Sequence, residues 1–239
     1  MLTVELAVAA FAFGAVAIVA VLRWLWATDL PPPRPRIEAA QGVQLPVGSS
    51  RLADSHSWWA SLILVAVDMT VFASFVYAHV HVAMAADTCP PPGAALPALR
   101  WPWASAALLA MGSLLMATAP RRLRDADPRA QRVLRLQVAL AMLCVAGAFG
   151  IDLLAQAQAG LNPQAQAWSA TVAMLLAYQG LHVVVLMMMG AYLLARSFSG
   201  RLQPQARATL DNTLPLWHCA TLQGIGGLLL VQGLPRLLG

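Results

Sequence analysis

Asp68 is the only formally charged side chain between Trp58 and Met84, within a stretch that also holds Leu62, Ile63, Leu64, Val65, Val71, Phe72, Phe75 and Val76. Such a run is long enough to cross a bilayer as a helix, with Asp68 close to the midplane. A charged acid at that depth costs roughly 2.5–3.5 kcal/mol on insertion scales, so it must face protein, water or a proton rather than lipid. A protonated carboxyl could donate one hydrogen bond to a facing helix. Two readings follow: a proton-responsive group, or a polar contact between helices.

The histidines are the candidate partners. His182 lies halfway along a later apolar run, at a depth similar to that of Asp68, and an Asp68–His182 contact is the sharper expectation. His79 and His81, two residues apart, point to different helix faces, which favours interfacial packing over a shared metal. His218 follows Trp217 near the start of the last run. At about 1.5 Å per residue, His182 and His218 differ in depth by roughly 9 Å, a poor match for one bis-histidine haem. Asp152, Gln156 and Gln158, near the end of another run, read as interfacial or helix-contact residues. Cys89, Cys144 and Cys219 have no metal or disulfide spacing, and Met187, Met188 and Met189 suit adaptable packing. No nucleotide loop, zinc pattern or nucleophile–base pair is present.

The elements that must position these groups are six membrane helices, expected at about 2–27, 57–85, 103–119, 133–157, 167–196 and 213–233. Pro31-Pro32-Pro33, Pro90-Pro91-Pro92-Gly93, Pro120, Pro163 and Gly200 punctuate them. The last run carries Gly224, Gly226 and Gly227, which predict close approach by a neighbouring helix. The segment 28–56 is proline-rich, then polar, without apolar period. It reads as a linker dividing a single N-terminal helix (1–27) from a five-helix unit (57–239). No internal repeat is seen, which does not encourage an inverted-repeat transporter.

Composition agrees with an all-α, polytopic membrane protein: 59% of residues are hydrophobic and only 10% charged. The net charge of +5 comes from 15 basic residues, all arginine, in the gaps between apolar runs. That is the pattern of membrane topology and not of nucleic-acid binding. Thirteen of them lie in or beside 28–56, 120–132 and 197–212, and only Arg100 and Arg236 lie on the other side. The positive-inside rule then places those segments in the cytoplasm and both termini outside, in the periplasm of a bacterial inner membrane. The run Arg121-Arg122-Leu123-Arg124 serves as a topology signal facing phospholipid. With Glu5 at the start of the first run and Arg23 at its end, no cleavable leader is expected.

Three stretches in order resemble subunit III of the haem–copper cytochrome oxidases. Ser55-His56-Ser57-Trp58-Trp59 followed by Asp68 and Phe72 is similar to the family's tryptophan-led helix with a mid-membrane acid, aspartate here instead of glutamate. Trp168-Ser169-Ala170-Thr171 through Tyr178-Gln179-Gly180-Leu181-His182-Val183 resembles the family's Y-G-S-T…F-H-G-L-H-V. Leu216-Trp217-His218 resembles the Y-W-H that opens the family's last helix. The resemblance spans residues 55–239. Gln179 replaces the first histidine of H-G-x-H, Thr221 stands where the last motif has aspartate, and Gly224 stands where a tryptophan is usual.

The resemblance implies an accessory, non-redox subunit of a respiratory cytochrome c oxidase. It would pack on subunit I, within reach of subunit II and other oxidase subunits, and support proton uptake, stability and sustained turnover. Haem and copper belong to the partner subunits; for this chain no cofactor or metal is expected, with bound phospholipid left open. Asp68 is the family-implied buried acid, with His182, Gln179 and Thr221 as its polar partners and Trp58, Trp59, Phe72, Trp217 and His218 as motif residues. One helix, a proline-rich linker and a five-helix unit also look like the tail of oxidases in which subunits I and III are fused; whether the chain is a separately encoded relative of that tail stays open at the level of sequence. The alternatives are subunit III of a quinol oxidase, a membrane haem b carrier built from His79, His182 and His218, or a proton-conducting transporter that uses Asp68.

Overall fold

The computed structural model describes residues 36–40, 43–46, 56–86, 88–124, 127–200, 202 and 207–238. The helix expected at 2–27 lies outside the described residues, so five of the six predicted spans can be compared. All five are present: α1 (His56–Ala85), α2 (Arg100–Arg124), α3 (Pro128–Gln158), α4 (Ala167–Phe198) and α5 (Ala208–Leu238). Each is long and apolar enough to cross a membrane. The fold is that of a multi-pass helical membrane protein.

Within the segment 28–56, β1 (Arg36–Ala40) pairs antiparallel with β2 (Val43–Pro46), so the described chain is all-helical apart from this short pair. Two helix bounds are corrected. Pro120 does not end the third predicted helix but lies inside α2, which runs on through the arginines to Arg124. An interior proline loses one N–H bond and crowds the carbonyl four residues earlier, a local cost that does not end this helix, and basic residues in a last turn face the negative end of the helix dipole. α3 begins at Pro128, five residues earlier than expected. Asp127 caps it by accepting a hydrogen bond from the Arg129 amide at 3.0 Å, and proline occupies the first turn, where its missing N–H costs nothing.

The helices form a ring in which α1 meets α5 and α4, α5 meets α2, α2 meets α3 and α3 meets α4, with α4 and α5 also in contact across it. Near the arginine-rich end the core is apolar: Met116, Leu123, Leu134, Val138, Leu186, Leu193, Leu210 and Trp217 are fully or nearly fully buried. A second cluster, with Ala83, Trp168, Val172, Leu175 and Val231, fills the opposite end. In lipid such packing relies on close van der Waals contact, because helix association gains no hydrophobic term there. The α2–α3 seam shows how small residues permit it: a Cβ on Gly112 would stand 3.3 Å from the Ala141 carbonyl oxygen. The predicted close approach at the α5 glycines holds at Gly224, where a Cβ would meet Gln179 and Leu109, but not at Gly227, which faces open space.

α1 is the peripheral member. None of its most apolar window is buried within the protein. Ile63, Leu64, Val67 and Met84 are among its exposed large apolar residues. Its inward face is a narrow stripe carrying Asp68, Phe72, Phe75 and His79.

Candidate functional site

Asp68 lies twelve residues into α1, about 18 Å along its axis. The structure brings it to His182 on α4, whose Nε2 is 3.0 Å from both carboxyl oxygens. The two side chains are 17% and 6% exposed, so the pair is largely shielded within the bundle. The other ring nitrogen, Nδ1, is 2.9 Å from the Tyr178 carbonyl oxygen, one helical turn earlier. A carbonyl can only accept, so Nδ1 carries a hydrogen, and that contact fixes the ring. Nε2 then either donates to a carboxylate as imidazolium or accepts from a carboxylic acid as neutral imidazole. The same heavy-atom geometry serves both, and they differ by the position of one proton.

Three further side chains complete the cluster, and none is among the partners expected from sequence. The Tyr178 hydroxyl reaches Asp68 Oδ1 at 2.5 Å and the Asp68 backbone carbonyl at 3.0 Å. Gln223 on α5 donates through Nε2 to Asp68 Oδ2 at 2.7 Å, with Met69 Sδ at 3.4 Å. The Cys219 thiol is 3.9 Å from Oδ2, a weak contact. Tyr178 and His182 are four residues apart, as are Cys219 and Gln223, so each pair shares a helix face. That spacing was the available signal. Tyr178 is itself held by aromatic packing, edge-on to Phe75 at 5.0 Å and stacked on Phe72 at 6.3 Å between ring centres. Phe72, a motif residue, therefore positions the tyrosine that holds the acid.

The other expected partners lie elsewhere. Gln179 points toward Gly224 of α5 and shares a cavity wall with Tyr178. Thr221 is buried with its hydroxyl unpartnered. Trp217 is fully buried in the core, while His218 meets Ser113 of α2 through Nδ1 at 2.6 Å. Trp58 and Trp59 are half-buried near the start of α1, nine or ten residues before Asp68. His79 hydrogen-bonds Thr171 at 2.9 Å, whereas His81 stacks on Tyr77 of its own helix. Asp152, expected to be an interfacial or helix-contact residue, is buried at a helix contact and accepts from Ser105 of α2 at 2.8 Å. Among the described residues, no three His, Cys, Asp or Glu side chains gather as a metal site.

This chain matches no family model and no curated protein. The cluster itself therefore carries the functional argument: a carboxyl on α1 and an imidazole on α4, with Gln223 of α5 completing the contacts, midway along membrane-length helices.

Proposed function

We propose that this chain is an accessory, subunit III-like component of a haem–copper cytochrome c oxidase in a bacterial inner membrane. In this reading it spans the membrane six times, the first time within residues 2–27, with both termini in the periplasm, and it contacts subunit I. The Asp68–His182 pair carries the proposal. A membrane bundle retains such a pair at a cost in insertion, and its use is to bind or release a proton without a structural rearrangement. The ordered motifs around Trp58, Asp68, Phe72, His182, Trp217 and His218 support the family reading. So does the apolar outward face of α1, which offers a surface for a larger membrane partner.

The geometry weighs against the haem b alternative at one of its three histidines: both nitrogens of His182 are already engaged, one by Tyr178 and one by Asp68. Purification in mild detergent should bring down polypeptides that carry haem and copper. Deleting this chain should leave their haem spectra intact while lowering sustained turnover or proton uptake. Loss of the redox centres from an otherwise assembled complex, or co-purification with no haem protein at all, would overturn the assignment.

A further inference from the structure

Two of the residues that hold Asp68, Tyr178 and Gln223, also wall a cavity of about 50 Å³. Tyr178 and Gln179 of α4, Asp152 and Gln156 of α3, and Gln223 and Gly227 of α5 are among its lining residues. A water molecule needs about 10–15 Å³ of such volume and two to four polar partners, so the space suits a short file of waters. Gln223 gives the second indication. It is 2% exposed and donates its amide hydrogen to Asp68, yet its Oε1 is buried with no partner. A buried acceptor on a cavity wall calls for a donor, and water in the cavity supplies one.

We propose that this cavity is a hydrated proton path joining Asp152 to the Asp68–His182 pair. The pair would then exchange protons from the end of the bundle opposite the arginine-rich segments. Tyr178 is the gate, since its hydroxyl contacts Asp68 Oδ1 and its side chain lines the cavity. A cavity water passes a proton to the Tyr178 oxygen as the tyrosine's own hydrogen moves to Oδ1. That water is replenished from the next one and finally from Asp152, which is left as carboxylate while the pair gains one positive charge. Cys219 is the remaining titratable side chain against Asp68, and it faces the second oxygen. One turn toward the arginine-rich end the same helix faces carry Val65 and Leu186, both packed in the apolar core, so access is one-sided. The path requires only this chain and not an oxidase partner.

The test uses the full chain in lipid nanodiscs with ¹⁵N-labelled histidine. The readout is exchange of the His182 ring hydrogens into deuterated water, with the resonance assigned by its loss in His182→Gln. Gly227→Leu should fill the cavity, because a Cβ there meets nothing within 4 Å. Asp152→Asn removes the far proton carrier while keeping its shape. Each should slow exchange by about tenfold or more with the His182 shift unchanged. If Gly227→Leu displaces the His182 shift, Asp152→Asn decides alone. Exchange within about twofold of the parent in a variant whose pair is intact would overturn the proposal, whatever proteins co-purify with the chain.

Discussion

Asp68 and Asp152 are both acids within membrane-spanning helices, but they belong to different kinds of seam. Asp152 lies where α2 and α3 pack closely through small residues, including Gly112, Ala141 and Ala148, and accepts one hydrogen bond, from a serine that also donates to the Ala148 carbonyl. Asp68 lies on α1, whose apolar surface is mostly unburied, and is held by side chains from two other helices. In the first seam the packing is sufficient and the acid is an addition. In the second the acid's partners and the aromatic stack on Tyr178 are much of what seats the helix. A polar cluster can therefore substitute for the close packing that α1 lacks.

Replacing Asp68 with leucine should have the largest effect. It leaves the Tyr178 hydroxyl, His182 Nε2 and the Gln223 amide without their common partner. Breaking a buried pair from one side costs about 3–5 kcal/mol, and the low end applies because the Asp68 side chain is partly exposed. Reversible unfolding in mixed detergent should show that loss, with α1 becoming protease-sensitive first. Asp68→Asn, which keeps an acceptor, should lose less than half as much. A small loss in Asp68→Leu would mean that Phe72 and Phe75 against Tyr178 seat α1 unaided, and the contrast between the seams would fail.

The next effect is a coupling. Asp68→Asn and His182→Ala, alone and together, form a cycle in which the two losses should not add. Contacting residues within one network give interaction energies of about 0.5–3 kcal/mol. Here the upper half of that range is expected, because each nitrogen–oxygen distance is 3.0 Å and the pair is shielded. Additivity to within about 0.5 kcal/mol would show two independent polar groups that merely lie close together.

The apolar runs and the midpoints of α1 and α4 made this site partly legible in advance. An acid and a histidine at equal depth in a membrane have few alternatives to each other, and that argument needs no knowledge of how the helices are rotated. Gln223 and Tyr178 were harder to see because they depend on rotation. A soluble helix shows its inward face as an apolar stripe, but these helices are apolar on the lipid side too, so no stripe orients them. The i, i+4 pairs Tyr178–His182 and Cys219–Gln223 were face markers for these residues, and hydropathy does not register them. Helix ends were missed for a related reason. Counting apolar residues stops at the first arginine, whereas α2 continues through Arg121 and Arg122 to Arg124, and α3 starts at the Asp127-Pro128 cap.

The smallest effect should come from the quieter acid. Ser105→Ala removes the hydroxyl that donates to Asp152 Oδ2 and to the Ala148 carbonyl oxygen, at 2.8 and 3.2 Å. One hydrogen bond between membrane helices averages about 0.6 kcal/mol, since the separated helices find other partners. The close α2–α3 contact around Gly112 and Ala141 remains intact, so unfolding in mixed detergent should shift by about 1 kcal/mol or less. The same variant removes the serine contact of Asp152 and leaves the Asp68 cluster untouched, which makes it a control on the comparison itself. If Ser105→Ala cost as much as Asp68→Leu, the α2–α3 seam would be polar in origin after all. Asp152 would then be a structural pin of the same kind as Asp68, and the distinction drawn from helix packing would have to be abandoned.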